Sequence, residues 1–543
     1  MGIRTIITLI LGVQALWLAL RHNMHMLQLN VYINSEQRVW LKKNIKQQWL
    51  LIFAIVLGIL NLLACGLKSS VFIIVTDVLS WFTLILIILV YKALIRISNK
   101  KKLVFTPRVK RMIATNIVIT FFIILVTFII GGLPYIAGMV VVLVGGQIFL
   151  GMITNTVNHP LEVGVKNYYI NDAKRIIKSN PNLTIIGVTG SYGKTSVKFY
   201  LQRLLQEHFN VLVTPESYNT PMGIVKTIRS SLRPTHEVFI CEMGARYVGE
   251  IKEICDIVHP DHGLITSIGP QHLETFGGID NVIKTKFELA DAVPPGGMLF
   301  LNCDNEYIKE KEEEYKDRDI VCYYSDENNK EVCCGNDEIC CNNGGYYAKD
   351  IKLSRFGTDF TAISPSGEQE AFNMKLIGGH NVINVMGAIA VANKLGVSLR
   401  SLRIAIRKLK PVPHRMEIKD HGKVTIIDDA FNSNPIGSKA AIETLALFDG
   451  IRILITPGMI ELGDKEEEYN YKFGTYAAAA CDYILLVGEK HTEPIREGAL
   501  SAGFSENNCR VFAKVEDAIS YAYAIRGQEH KYILLENDLP DNY

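Results

Sequence analysis

Residues 187–196 read GVTGSYGKTS, a glycine-rich stretch ending in Lys194, Thr195 and Ser196. An apolar, β-rich run (TIIGVTG) leads into it and a helix-compatible run, 196–208, leads out. A strand that turns through glycines into a helix gathers backbone N–H groups and the positive helix end around an anion. Gly190, Ser191, Tyr192, Gly193, Lys194, Thr195 and Ser196 therefore form a candidate nucleotide-phosphate loop. Lys194 would neutralise terminal phosphates and the Thr195 hydroxyl would coordinate Mg²⁺. The loop is shorter than the usual G-x-x-x-x-G-K-[ST], which needs glycine at position 188, where this chain has Val188.

Downstream, strand-like and helix-like segments alternate: NVLVT, a helix over 222–231, HEVFICEMG, HGLITSIG and GGMLFLN. This alternation predicts a parallel sheet with crossover helices, a P-loop-type ATPase domain. Glu242 closes the third strand beside the phosphate loop, where a carboxylate suits a second Mg²⁺ ligand, and His272 lies just past the next strand. Short strands and turns over 321–376 predict a small antiparallel flap. The prolines of KPVPHR end a helix over 399–409, and a second α/β series follows with VTIIDDA, RILITPG, YILLVG and KYILLEN. The expected organisation is a membrane segment at 1–155, a linker helix at 156–180, an ATP-binding domain at 181–410 and a Rossmann-like C-terminal domain at 411–543.

The first part of the chain is of another kind. Five apolar runs, 5–20, 49–66, 71–91, 113–131 and 133–152, each approach the length of a membrane-crossing helix. Basic residues crowd 21–48 and 92–111, whereas the other connections carry only Lys68. The positive-inside rule then puts the N-terminus outside and everything after 155 in the cytoplasm. Asp77 is nearly alone as an intramembrane charge, so no transport pathway is indicated. A net charge of +2 argues against a nucleic-acid partner. The eleven cysteines read as reduced cytosolic thiols. Cys333, Cys334, Cys340 and Cys341, with Cys322 nearby, contain no C-x-x-C pair and read as loop cysteines rather than zinc ligands.

Eight motifs occur in the order found in Mur ligases: GVTGSYGKTS, EMGA, GPQHLETFGG, KTKFELA, GGHNVINVMGAIAVA, VPHRME, DDAFNSNP and GMIELG. From about residue 180 onward the chain resembles these ATP-dependent amide ligases, most closely the D-alanyl-D-alanine-adding branch. The short phosphate loop is a trait of that family. The resemblance implies that ATP converts a carboxylate of a peptidoglycan-precursor stem peptide to an acyl phosphate, which an amino acid or dipeptide attacks. It implies a bacterial cell membrane as the location. It assigns catalysis to Lys194, Glu242, His272 and Lys286, and metal binding to Thr195, Glu242 and His272. Lys286 matches a lysine carried as a CO₂-derived carbamate. Asn381 matches the adenine contact, Arg415 and Asp429 further nucleotide contacts, and Asn219 and Asn432 substrate contacts.

Three positions depart from the family. Phe431 stands where tyrosine is usual, PGMIELG replaces GDMLELG, and membrane helices replace the domain that grips a UDP-sugar carrier. The acceptor is accordingly expected to be lipid-linked or UDP-linked. A catalytically silent membrane scaffold and an amide ligase for another polymer, such as polyglutamate, are the competing readings.

Overall fold

The computed structural model describes residues 3–96, 102–216, 218–315, 317–328, 345–431, 433–489 and 491–538. It divides into two compact units, one reaching Tyr168 and one starting at Tyr169. The doubled cysteines at 333–334 and 340–341 lie outside the described residues.

The first unit is helical: α1 (Ile3–Leu29), α2 (Asn34–Lys43), α3 (Trp49–Gly66), α4 (Ser70–Arg96), α5 (Pro107–Gly131) and α6 (Leu133–Lys178). Among the described residues five helices are long and apolar enough to cross a membrane, as the sequence predicts. Small residues let α3 and α6 approach closely: a Cβ at Gly58 would sit 2.7 Å from the Gly138 carbonyl oxygen, and one at Gly145 2.2 Å from that of Leu51. Asp77 is absorbed by its neighbours. Asn61 Nδ2 donates to its carboxylate at 2.8 Å and to Thr76 Oγ1 at 3.0 Å, and Arg4 lies 3.9 Å away.

The second unit begins with the last turns of α6, whose Tyr169, Ile170, Ala173 and Ile176 pack on an α/β core. Its first sheet joins β1 (Thr184–Thr189), β2 (Val211–Val213), β3 (Val238–Glu242), β4 (His262–Ile265), β5 (Met298–Asn302) and β6 (Asp319–Tyr323). The order is β2-β3-β1-β4-β5-β6, with every pair parallel. Alternation along β1 sends Ile186 and Val188 to one core and Ile185 to the other. Both faces are covered, so the strands read as continuous apolar runs. The expected flap is present as an antiparallel sheet, β7 (Tyr347–Ser354), β8 (Gly357–Ile363) and β9 (Gln369–Met374).

A third sheet contains β10 (Glu417–Asp420), β11 (Val424–Asp429), β12 (Ile451–Thr456), β13 (Tyr483–Val487), β14 (Cys509–Phe512) and β15 (Lys531–Glu536). Its order is β10-β11-β15-β12-β13-β14; β10 is the antiparallel edge and the other pairs are parallel. The last strand thus inserts between β11 and β12. Its end, Glu536, falls in register with Asp429.

Candidate functional site

The phosphate loop follows β1, and its two glycines are required by geometry. Gly190 (φ 148°) and Gly193 (φ 79°) occupy left-handed backbone, and added Cβ atoms would lie 2.2 Å from Thr266 Oγ1 and 2.5 Å from Asn384 Oδ1. The helix that follows, α7 (Lys194–Leu205), starts two residues earlier than the sequence predicts. Lys194, Thr195 and Ser196 therefore occupy its first turn, where N–H groups have no intrahelical acceptor. The loop is pinned to the segment after β4: Ser191 N–H donates to Ser267 O at 2.6 Å, Ser191 Oγ to Gly269 O at 3.1 Å and Tyr192 Oη to Pro270 O at 2.6 Å. Ser191 and Tyr192 thus shape the loop with their side chains.

Lys194 curls over this loop, its Nζ donating to Gly190 O at 2.6 Å and Ser191 O at 3.0 Å. Burial lowers its pKa to about 8, opposed by Glu242 and assisted by Arg415. Glu242, at the end of β3, is 1 % exposed. Its Oε1 accepts from Thr195 Oγ1 at 3.0 Å and Asn219 Nδ2 at 3.1 Å. Its Oε2 faces Lys198 Nζ at 2.8 Å, an ion-pair contact rather than an aligned hydrogen bond. Desolvation pushes the Glu242 pKa up, but Lys198 and Lys194 hold it below the usual glutamate value. The carboxylate is thereby kept anionic in a buried position. Thr195 and Glu242 present two hard oxygens side by side, a donor set that fits Mg²⁺.

Lys198 is the residue the sequence reading missed. It is 0 % exposed and also donates to Glu216 O at 2.6 Å. The available signal was its position four residues after Lys194, one turn along the same helix face. A lysine on a mixed helix ordinarily reads as solvated.

Lys286 lies on the helix Ile279–Ala292 and is 1 % exposed. Desolvation, then the nearby Lys194, holds its amine well below the ordinary lysine pKa, against the pull of Glu250 and Glu288. Among the described residues it has no ion-pair partner; its Nζ lies 5.9 Å from the Phe276 ring centre. A neutral amine is the species that adds CO₂, so the environment fits a carbamate.

The C-terminal part of the unit reaches this site. Arg415 stacks on Phe431 at 4.5 Å and interacts electrostatically with Glu242 and Asp429. Asp429 is raised to about 6 by burial, opposed first by Arg415. His272, in left-handed backbone (φ 52°), pairs through Nδ1 with Glu461 of GMIELG. Leu273 N–H donates to Glu461 O at 3.1 Å and Arg246 lies 3.7 Å from the same carboxylate. His272 thus faces Glu461, while Thr195 and Glu242 pair with each other. Asn381 is buried and engaged at both ends: Tyr200 Oη donates to its Oδ1 at 2.9 Å and its Nδ2 donates to Ile377 O at 2.8 Å. Asn432 lies outside the described residues.

Residues 188–392 match the Mur ligase middle domain, and residues 414–536 the Mur ligase glutamate ligase domain. The chain belongs to the Mur ligase family. As a Mur ligase it is an ATP-dependent ligase. This Mur ligase is 27 % identical over 343 residues to the UDP-N-acetylmuramoyl-tripeptide–D-alanyl-D-alanine ligase of Escherichia coli, a span of 62 % of this chain and 72 % of that protein. Its fold is similar to a crystal structure of MurF from Acinetobacter baumannii, with TM-score 0.61, 24 % identity, and 69 % and 77 % of the two chains covered. MurF from Thermotoga maritima, solved in complex with ADP, gives TM-score 0.59 at 22 % identity, covering 69 % of this chain and 80 % of that one. The helical first unit of this Mur ligase lies before both domain matches.

Proposed function

We propose that this Mur ligase is a membrane-anchored amide ligase that joins an amino acid or dipeptide to a carboxylate of a peptidoglycan-precursor stem peptide, through an acyl phosphate. The observation that carries the reading is the cluster of Lys194, Thr195 and anionic Glu242 at the start of α7, with buried Lys286, whose charged form is disfavoured, beside it and Arg415 reaching it. A silent scaffold has no use for a buried ion pair that keeps a carboxylate charged at the mouth of a phosphate loop. The D-alanyl-D-alanine named for the Escherichia coli relative makes that dipeptide the first amine to test.

In the proposed reaction an acceptor carboxylate oxygen attacks the γ-phosphorus of ATP and ADP leaves. The amine then attacks the acyl carbon, loses a proton, and phosphate departs. The protein's task is positioning and charge compensation. In this reading loop N–H groups and Lys194 hold the phosphates, and Arg415 offsets charge on the transferred group. Thr195 and Glu242 would hold Mg²⁺, which compensates phosphate charge when bound. A CO₂ adduct on Lys286 would turn the amine into an anion that could support a bound cation.

The five apolar helices are proposed to anchor the enzyme, with the N-terminus outside and the ligase unit in the cytoplasm. Confinement to a thin shell raises effective concentration towards a lipid-borne substrate and does little for a diffusing nucleotide-sugar. The favoured acceptor is therefore lipid-linked, or delivered by a membrane partner. The test supplies full-length protein in detergent with MgATP, D-alanyl-D-alanine or single amino acids, and one stem peptide in lipid-linked and UDP-linked forms. Mass spectrometry should detect ATP-dependent product, faster on the lipid form. Equal or better rates on the UDP form reject the lipid acceptor, and absence of product with every pair rejects the ligase reading.

A further inference from the structure

Arg415 is carried on backbone that local preference does not support. The residues on either side of it, His414 (φ 58°) and Met416 (φ 50°), both occupy left-handed backbone. Residues other than glycine rarely adopt it, and histidine tolerates it better than methionine. Two such residues within three positions persist only where the surroundings hold them. The hold comes from β11. Its last two residues, Asp428 and Asp429, project to opposite faces of the strand, and each takes one flank of the turn. Asp429 Oδ1 accepts from Met416 N at 3.2 Å, and Asp428 Oδ2 lies 2.8 Å from His414 Nδ1. Two more N–H groups are engaged: Arg415 N donates to Val412 O at 3.0 Å and His414 N to Glu417 Oε2 at 3.3 Å.

Asp428 and His414 have no part in the reaction described above. The Asp428 carboxylate is buried, whereas the His414 ring is exposed. Lys419 Nζ donates to the same Oδ2 at 2.5 Å, and Ala430 N to Oδ1 at 3.3 Å. Burial pushes the Asp428 pKa up, but Lys419 and His414 hold it below the usual aspartate value, so it stays an anion. An ionised carboxylate only accepts, so His414 Nδ1 carries the hydrogen between them. Asp428 is itself fixed by the hairpin, since it stands opposite Glu417 in the β10–β11 ladder. On the far side of the turn the Arg415 guanidinium lies over Phe431 at 4.5 Å and interacts with Glu242. A side chain leaves its Cα in a direction set by the backbone around it. A return of His414 to ordinary backbone would therefore swing Arg415 away from the site.

We infer that Asp428 is a positioning residue: through the His414 imidazole it holds the turn 414–416 in its left-handed form and so keeps Arg415 aimed at the phosphate site. The effect on rate rests on the proposed ligase function; the placement of Arg415 does not.

The experiment uses the full chain in detergent as wild type, His414→Asn, His414→Ala and Asp428→Ala. Asparagine tolerates left-handed backbone and offers Asp428 an amide donor in place of Nδ1, whereas alanine does neither. The first readout is Arg415 itself: the rate at which phenylglyoxal, a reagent for accessible guanidinium groups, modifies it, followed by mass spectrometry of the peptide that contains it. Wild type and His414→Asn should react within about twofold of each other, and His414→Ala and Asp428→Ala about fivefold faster or more. The second readout is ligation. His414→Ala and Asp428→Ala should lose roughly tenfold in kcat with little change in KM for ATP, and His414→Asn should stay within about twofold of wild type in kcat. Equal modification rates in all four proteins overturn the inference, and so does a His414→Asn variant that behaves as His414→Ala does. If Asp428→Ala fails to fold, the two His414 variants decide between these outcomes. If no protein ligates, the proposed function fails, and the modification rates still decide what holds Arg415.

Discussion

Replacing Lys198 by methionine should unfold the middle domain early and disable the phosphate site together. The structure sets the size. Lys198 and Glu242 are 0 % and 1 % exposed and 2.8 Å apart, and Lys198 is the largest of the influences that hold the Glu242 pKa down against burial. Removing one partner of such a pair strands a buried charge and costs about 3–5 kcal/mol. For a domain of roughly 150–250 residues that corresponds to a Tm lower by about 6–20 °C. The loss can be read by intrinsic fluorescence on full-length protein in detergent. The deciding measurement is a double-mutant cycle. Glu242→Gln alone leaves the ammonium stranded and should also destabilise, whereas Lys198→Met with Glu242→Gln removes both charges and should recover about half or more of the loss. The double variant should stay inactive, because Glu242 is gone. Additive losses would refute the reasoning, since they would mean that Lys198 stabilises through its contact with Glu216 O and its packing, independently of Glu242. A Lys198→Met protein with wild-type Tm and turnover would refute it outright.

Three further outcomes are expected. Lys194 is held at about 8, so it is a cation below that pH and neutral above it; kcat/KM for ATP should fall as pH rises through about 8, and Lys194→Ala should be inactive at every pH while folded by circular dichroism. Lys286→Ala should lose nearly all activity and be partly rescued by short carboxylates, whereas Lys286→Arg should not be rescued because the missing charge is negative; wild-type activity of Lys286→Ala in bicarbonate-free buffer would exclude a carbamate. A reporter active only outside the cell should be silent when fused after residue 155 and active at the N-terminus, and the reverse pattern would overturn the orientation.

Most of the first half of the site was legible because it is local. The turn from β1 into α7 brings glycines, Lys194 and Thr195 together within one short stretch, and backbone geometry dictates their types. Glu242 could be placed at the same sheet edge because parallel strands bring their carboxyl ends to one side. The depressed pKa of Lys286 was not legible. KTKFELA is a charged helix on paper, and enclosure beside Lys194 is what disfavours the ammonium form. Nor was the donation from Asn219, expected to contact an acceptor, to Glu242 at 3.1 Å, which joins residues far apart in the chain.

The sequence by itself determined what short-range physics controls. Five apolar runs of membrane length, alternating strands and helices, the glycine turn and the prolines before the last domain all act through neighbours in the chain. Tertiary structure decided what depends on burial and on distant pairing. Lys198 becomes the counter-charge of Glu242 because α7 packs its face against the end of β3, and His272 meets Glu461 across 189 positions of sequence. Glu536 faces Asp429 because the final strand inserts between β11 and β12, an arrangement that no local pattern encodes. The charge state of each of these groups follows from the dielectric and the partners around it, and both exist only once the chain has folded.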